Sequence, residues 1–114
     1  MKTIIIQNSK IPKMLSIFIN IHAITLFPFI ISRDEMSETT INHELIHIEQ
    51  QRELWVIGFY ILYVYYWAKG KIAGDSNDDA YFNIPFEREA YSKQYDEKYL
   101  ESREKNAWKK YKKL

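Results

Sequence analysis

Apolar and polar residues alternate along the chain in a way that separates a strand-like N-terminal part from a helical C-terminal part. Lys2 to Gln7 centres on the β-branched run Ile4-Ile5-Ile6 and predicts a first strand, closed by Pro12. Ile17 to Asn20 suits a strand or a helical turn equally. Ala23 to Ser32, Ala-Ile-Thr-Leu-Phe-Pro-Phe-Ile-Ile-Ser, predicts one more strand. Pro28 cannot donate to a ladder, so that strand is expected at a sheet edge or a bulge. Arg33 to Glu38 reads as a charged turn, and Ser37, Thr39 or Thr40 can cap the helix that follows. From Thr40 the apolar positions Ile41, Leu45, Ile48, Trp55 and Ile57 recur at near-helical spacing. No proline intervenes before Ala68, so one long helix is expected, with Gly58 as the candidate bend.

Lys69 to Asp79 holds Gly70, Gly74, Ser76, Asn77 and two adjacent aspartates, and reads as a loop. Pro85 then suits the first turn of a last helix, with Asn83 as its cap and Glu87 and Glu89 in the dipole-favoured first turn. Tyr91, Tyr95 and Tyr99, followed by Trp108 and Tyr111, mark the expected buried stripe of that helix, and Lys109 to Lys113 its solvated end. There is no internal repeat. The expected fold is α+β, a single domain over 1–114: short N-terminal strands packed on a long helix, with an antiparallel C-terminal helix.

Composition narrows the chemistry. The 114 residues are 46% hydrophobic and 27% charged, as in an ordinary globular domain. A net charge of +1 gives no cationic excess for a phosphate backbone, so nucleic acid is not an expected partner. With no cysteine, disulfides, thiolate ligands and cysteine nucleophiles are excluded. Nine tyrosines among the aromatics point to large rings at a core and at an interface.

The N-terminus does not read as a secretory signal, and the apolar stretch Met14 to Ile31 is interrupted by Asn20, His22, Thr25 and Pro28. Leu54 to Ala68 is uncharged, but as a helix it would span only ~22 Å against a hydrocarbon core of ~30 Å. Such a helix fits a core or an oligomer interface. Trp55, Trp67, Lys69 and Lys71 also suit contact with a membrane surface. The expected location is cytoplasmic, with membrane association through residues 54–68 as the variant.

His43-Glu44-Leu45-Ile46-His47 is the one motif with a specific chemical reading, an HExxH on an expected helix. Four residues advance a helix by about one turn, so both imidazoles project from one face and can meet a cation such as Zn²⁺. Glu44 lies ~100° round from His43, beside the ligands, where a general base can reach a zinc-bound water without ligating. A catalytic zinc site needs a third protein ligand. No third histidine follows His47, so the ligand is a carboxylate or His22. Glu49 and Glu53 point away from the histidine face, and Asp75, Asp78 and Asp79 fall in the expected loop. Glu87 is the best candidate, on one side of the last helix with Ala90 and Tyr91, whereas Glu89 is rotated ~200° away and expected to face solvent.

His43-Glu44-Leu45-Ile46-His47 followed by Glu87 on a second helix resembles the gluzincin pattern of zinc metallopeptidases. Together with Ala23 to Ile31, the block from Ile41 to Gln51 and the block from Ile84 to Tyr91, it is similar to a family of small bacterial zincin-like proteins. The resemblance spans roughly residues 3 to 108 and implies His43, His47 and Glu87 as metal ligands and Glu44 as base. It departs from ordinary gluzincins in its short chain and in Glu49, where an apolar residue is usual.

The expected function is zinc-dependent hydrolysis of a peptide bond in a peptide or protein substrate. The substrate would lie along the edge strand Ala23 to Ser32, with Tyr91 or His22 as candidate oxyanion donor. The alternative is a non-catalytic metal-binding or structural domain whose aromatic helix mediates homo-oligomerisation or membrane-surface contact.

Overall fold

The computed structural model describes residues 3–7, 23–32 and 35–112. Lys2, Pro12, Ile17 to Asn20 and His22, each given a part in the sequence reading, lie outside the described residues.

Three strands form a mixed sheet of order β1-β3-β2, from β1 (Ile4–Ile6), β2 (Ala23–Leu26) and β3 (Phe29–Ser32). β1 runs parallel to β3, with Ile5 opposite Ile30, and β2 runs antiparallel to it, with Ile24 opposite Ile31. The single strand expected over Ala23 to Ser32 is thus a hairpin, turned at a cis Phe27-Pro28 peptide. Proline without an N–H fits the turn, where no ladder bond is asked of it, and β3 becomes the central strand instead of an edge. β3 buries Ile30, Ile31 and Ser32 completely or nearly so.

α1 (Glu38–Glu53) starts at Ser37, whose hydroxyl accepts from the Thr40 amide, so the expected cap is the one used. Both sides of this helix are covered. Ile41, Leu45 and Ile48 pack with Ile30, Met36 and Phe27 on the sheet side. About half a turn round, His43, Ile46, His47 and Gln50 are buried as well. Two glutamine side chains tie the layers together: Gln51 accepts from the Phe27 amide (2.8 Å) and Gln7 from the Met36 amide (2.7 Å).

The long helix expected from Thr40 to Ala68 is broken. α1 stops at Glu53 and α2 (Ile57–Ile72) begins after Trp55 and Val56, both at φ 59°. The Ile57 amide donates to the Trp55 carbonyl, closing a γ-turn around Val56. Gly58 is not the bend; it lies within α2. The break has a clear consequence. In a straight helix the twelve residues from His47 to Phe59 would span about 18 Å. Their ring centroids are 6.1 Å apart, so the turn folds α2 back beside α1.

The loop expected over Lys69 to Asp79 is shorter than its composition suggests. α2 continues to Ile72, and α3 (Asn77–Phe82) starts at once, capped by Ser76 on the Asp79 amide. Gly70 lets the two helices close up, since a Cβ there would sit 2.9 Å from Asp75 Oδ2 and 3.2 Å from Ala80.

α4 (Pro85–Lys93) begins with Pro85 in its first turn as expected, but its cap position is Ile84 with no side-chain bond, not Asn83. The helix does not continue to Tyr111. It ends at Lys93 and is followed by a short α5 (Tyr99–Ser102) and a closing 3-10 helix, Ala107–Tyr111. The tyrosine stripe is therefore not buried, and Tyr95 is 77% exposed. The buried stripe of α4 is Phe86, Glu87, Glu89 and Ala90, and Phe86 forms a core with Phe59, Ile84 and Trp108.

Candidate metal centre

α1 and α4 face each other across their polar sides. His43 and His47, one turn apart, direct their Nε2 atoms at the same carboxylate oxygen of Glu87, at 3.1 and 2.9 Å, and the two Nε2 atoms are 3.1 Å apart. All three residues are buried. His43, His47 and Glu87 could together hold a metal ion.

The tautomers follow from the surrounding bonds. Gln50 Nε2 donates to the Phe86 carbonyl (3.1 Å) and to Glu89 Oε1 (2.9 Å), which leaves Gln50 Oε1 to accept from His47 Nδ1 at 2.7 Å. His43 Nδ1 faces Gln94 Oε1 at 2.8 Å. Asn42 fixes the end of α4, donating to the carbonyls of Gln94 (2.9 Å) and Asp96 (3.1 Å). Each imidazole therefore spends its N–H outward on a glutamine oxygen, and each neutral ring points a lone pair at Glu87. Three acceptors converging in a buried space require a cation among them.

The donor set fits zinc: two imidazole nitrogens and a carboxylate oxygen are its usual ligands. Bonds of about 2.0–2.1 Å in a tetrahedral site separate ligand atoms by about 3.3 Å, within a few tenths of the spacing here.

The bare cluster holds a proton instead. Burial opposes a charged His47, but the Glu87 carboxylate overrides it and raises the imidazole to about 9. Burial likewise opposes an ionised Glu87, yet the charge on His47 and the bonds from both histidines hold it well below the usual carboxylate range.

Tyr63 completes the Glu87 environment. Its hydroxyl donates to Oε2 at 2.7 Å, leaving Oε1 to the histidines, and burial together with the Glu87 charge pushes the phenol well above its ordinary value. Tyr63 and the two glutamines were not singled out in the sequence. Gln50 could have been found, since it lies three residues beyond His47 on the same face; Tyr63 depends on the turn at Val56, and Gln94 on the stop after Lys93.

Glu44 is half-buried, and its charge contributes to raising His47, Tyr63, Tyr81 and Tyr91, all of which surround the cluster. The Tyr91 ring packs edge-on against His43 with centroids 4.4 Å apart, and its hydroxyl lies 3.0 Å from that of Tyr81. Burial raises both phenols, so both stay neutral.

Glu89 differs from the expectation. It is fully buried, not solvent-facing. Arg103 binds it through Nε and Nη2, Tyr99 donates to it at 2.6 Å, and Arg103 also pairs with Glu53 at 2.8 Å. Burial works against its charge, but these donors hold the carboxyl below its ordinary value. Glu49 pairs with Arg52 and Glu53 with Arg103, so neither joins the histidines, in line with their expected directions.

No family model matches the chain, and neither a curated protein nor a solved structure matches it. Among the described residues no helix is long and apolar enough to cross a membrane.

Proposed function

We propose that the protein is a zinc-dependent hydrolase of the minimal gluzincin type that cleaves a peptide bond, with His43, His47 and Glu87 as ligands. The convergence of three buried acceptors from two helices, each histidine already committed through Nδ1, carries this reading. Glu44 beside the cluster favours catalysis over a structural metal site, because a structural site has no use for a base. Zinc bound there would supply a Lewis acid that polarises a carbonyl and acidifies water.

The chain's own groups do the rest. Glu44 accepts the proton of the attacking water and passes it to the leaving amine. Tyr91, paired with Tyr81 and neutral, donates a hydrogen bond to the oxyanion that develops on the scissile carbonyl. Gln50 and Gln94 keep both imidazoles in the ligating tautomer throughout. Among the described residues β1 and β2 are the edges that a peptide strand could extend, since β3 is paired on both sides.

Metal analysis of protein purified without a histidine tag, joined to hydrolysis of a mixed peptide pool, tests the proposal. The expected outcome is about one zinc per chain, lost in His43→Ala and His47→Ala. Glu44→Gln is expected to keep the metal and lose hydrolysis. Zinc-loaded protein that leaves every peptide intact would overturn the catalytic reading, and metal content unchanged by both histidine substitutions would overturn the site.

A further inference from the structure

From Ile57 to Ala68 α2 carries no charged residue on any side, and such a stretch of helix needs cover all round. Its inner side has cover: Phe59, Tyr63 and Tyr66 pack with Phe86. Among the described residues its outer side has none. Ile57, Ile61, Val64, Tyr65 and Ile72 are between 54% and 88% exposed, and at 3.6 residues per turn they fall within an arc of about 100°. Trp55, on the left-handed turn just before the helix, projects an indole that is 88% exposed. A bulky residue at positive φ is costly, and here it places the largest apolar side chain at the end of the stripe.

Charge decides what covers this face. Lys69 and Lys71 flank the stripe on either side near its C-terminal end, and residues 54–74 contain no carboxylate. Asp78 and Asp79 come only beyond the helix, and Asp75 folds back on Gly70, on the side of α2 away from the stripe, where its carbonyl accepts from Lys71 Nζ at 3.1 Å. A second copy of the same face would bring apolar surface but no anion for the two ammonium groups. A bilayer surface brings both, with acyl chains under the aliphatic stripe, lipid phosphates at the lysines and an interfacial level suited to indole and phenol rings.

We propose that the outer face of α2, with Trp55, docks on an anionic phospholipid surface, the helix lying in the plane of the interface. Its 16 residues span about 24 Å, too short to cross and long enough to lie flat. Tyr63, the α2 residue bonded to Glu87, is on the far side of the helix from the stripe, so docking leaves the metal cluster turned away from the lipid. The inference is independent of the hydrolase reading.

Flotation of the full chain with vesicles of phosphatidylcholine and phosphatidylglycerol tests it, with indole quenching by brominated acyl chains as a second readout. The expected result is co-flotation and quenching. Ile61→Glu, at a site 65% exposed, should lower partition by about tenfold or more while circular dichroism and metal content stay unchanged. Lys69→Gln with Lys71→Gln should weaken binding to the mixed vesicles more than to pure phosphatidylcholine. Absence of flotation, flotation indifferent to Ile61→Glu, or a solution dimer abolished by Ile61→Glu without vesicle binding would each overturn the proposal, the last by assigning the face to a second copy.

Discussion

Glu87 and Glu89 stand two residues apart on α4, both buried, and they have different partners. Glu87 meets two imidazoles, and a metal ion held by all three can replace the proton that they share as its source of positive charge. Glu89 meets a guanidinium. Glu87→Ala is expected to weaken zinc binding by orders of magnitude in a titration, because two imidazoles leave the cation under-coordinated. Glu89→Ala is expected to act on the fold: it leaves Arg103 buried with half its compensation, at a cost of about 3–5 kcal/mol in urea denaturation. Tyr63→Phe removes only the donor to Glu87 Oε2 and should lower zinc affinity by about 10–100-fold with the fold intact, read by the same titration. The pair of carboxylates also shows what the sequence could carry. Glu87 was legible because the motif fixes the histidine face and the phase of α4 points one carboxylate towards it. The inward turn of Glu89 was not, since its counter-charge is Arg103, fourteen residues on and beyond both the end of α4 and the short α5.

At the scale of elements, local signals held where a single residue type decides the geometry. Ser37 capped α1 and Pro85 opened α4 as expected. They failed where tertiary packing overrode a continuous pattern. No glycine or proline marks Leu54-Trp55-Val56, and the apolar period runs through it, yet the chain reverses there so that Phe59 and Tyr63 meet α4. On the polar inner face of α1 the motif picked out His43 and His47 but not Asn42 and Gln50, which lie outside it and are buried by partners on and just beyond α4. The Val56 turn stores strain that glycine would not feel. Val56→Gly should raise stability by about 1 kcal/mol in urea denaturation, the relief of a positive φ outweighing the added freedom of the unfolded chain. A loss of stability would mean that the Val56 side chain contributes more than its backbone costs.

Across the whole molecule, the histidine–carboxylate cluster is where two layers of the fold are joined, with α1 carrying two acceptors and α4 the third. Its stabilising effect in the metal-free protein depends on which groups keep their protons. Glu87 is held below the 4.5 of a free carboxyl, so its contribution is present above about pH 4.5 and is lost as pH falls through the folded value. His47 is raised from 6.5 to about 9, so its contribution is complete below pH 6.5 and is lost as pH rises towards 9. Metal-free protein should therefore be most stable between about pH 4.5 and 6.5 and lose a few kcal/mol by pH 9. Zinc reverses the trend. It takes the place of the His47 proton, so its apparent affinity rises about tenfold per unit as pH climbs towards 9, and saturating metal adds stability by mass action where the bare cluster is failing. Melting curves from pH 5 to 9.5, with chelator in one series and excess zinc in the other, are expected to run close together in acid and to separate above pH 6.5. Chelated protein whose stability is flat or rising across that interval would show that no proton is shared between His47 and Glu87, and two series that stay together at pH 9 would show that no metal replaces it.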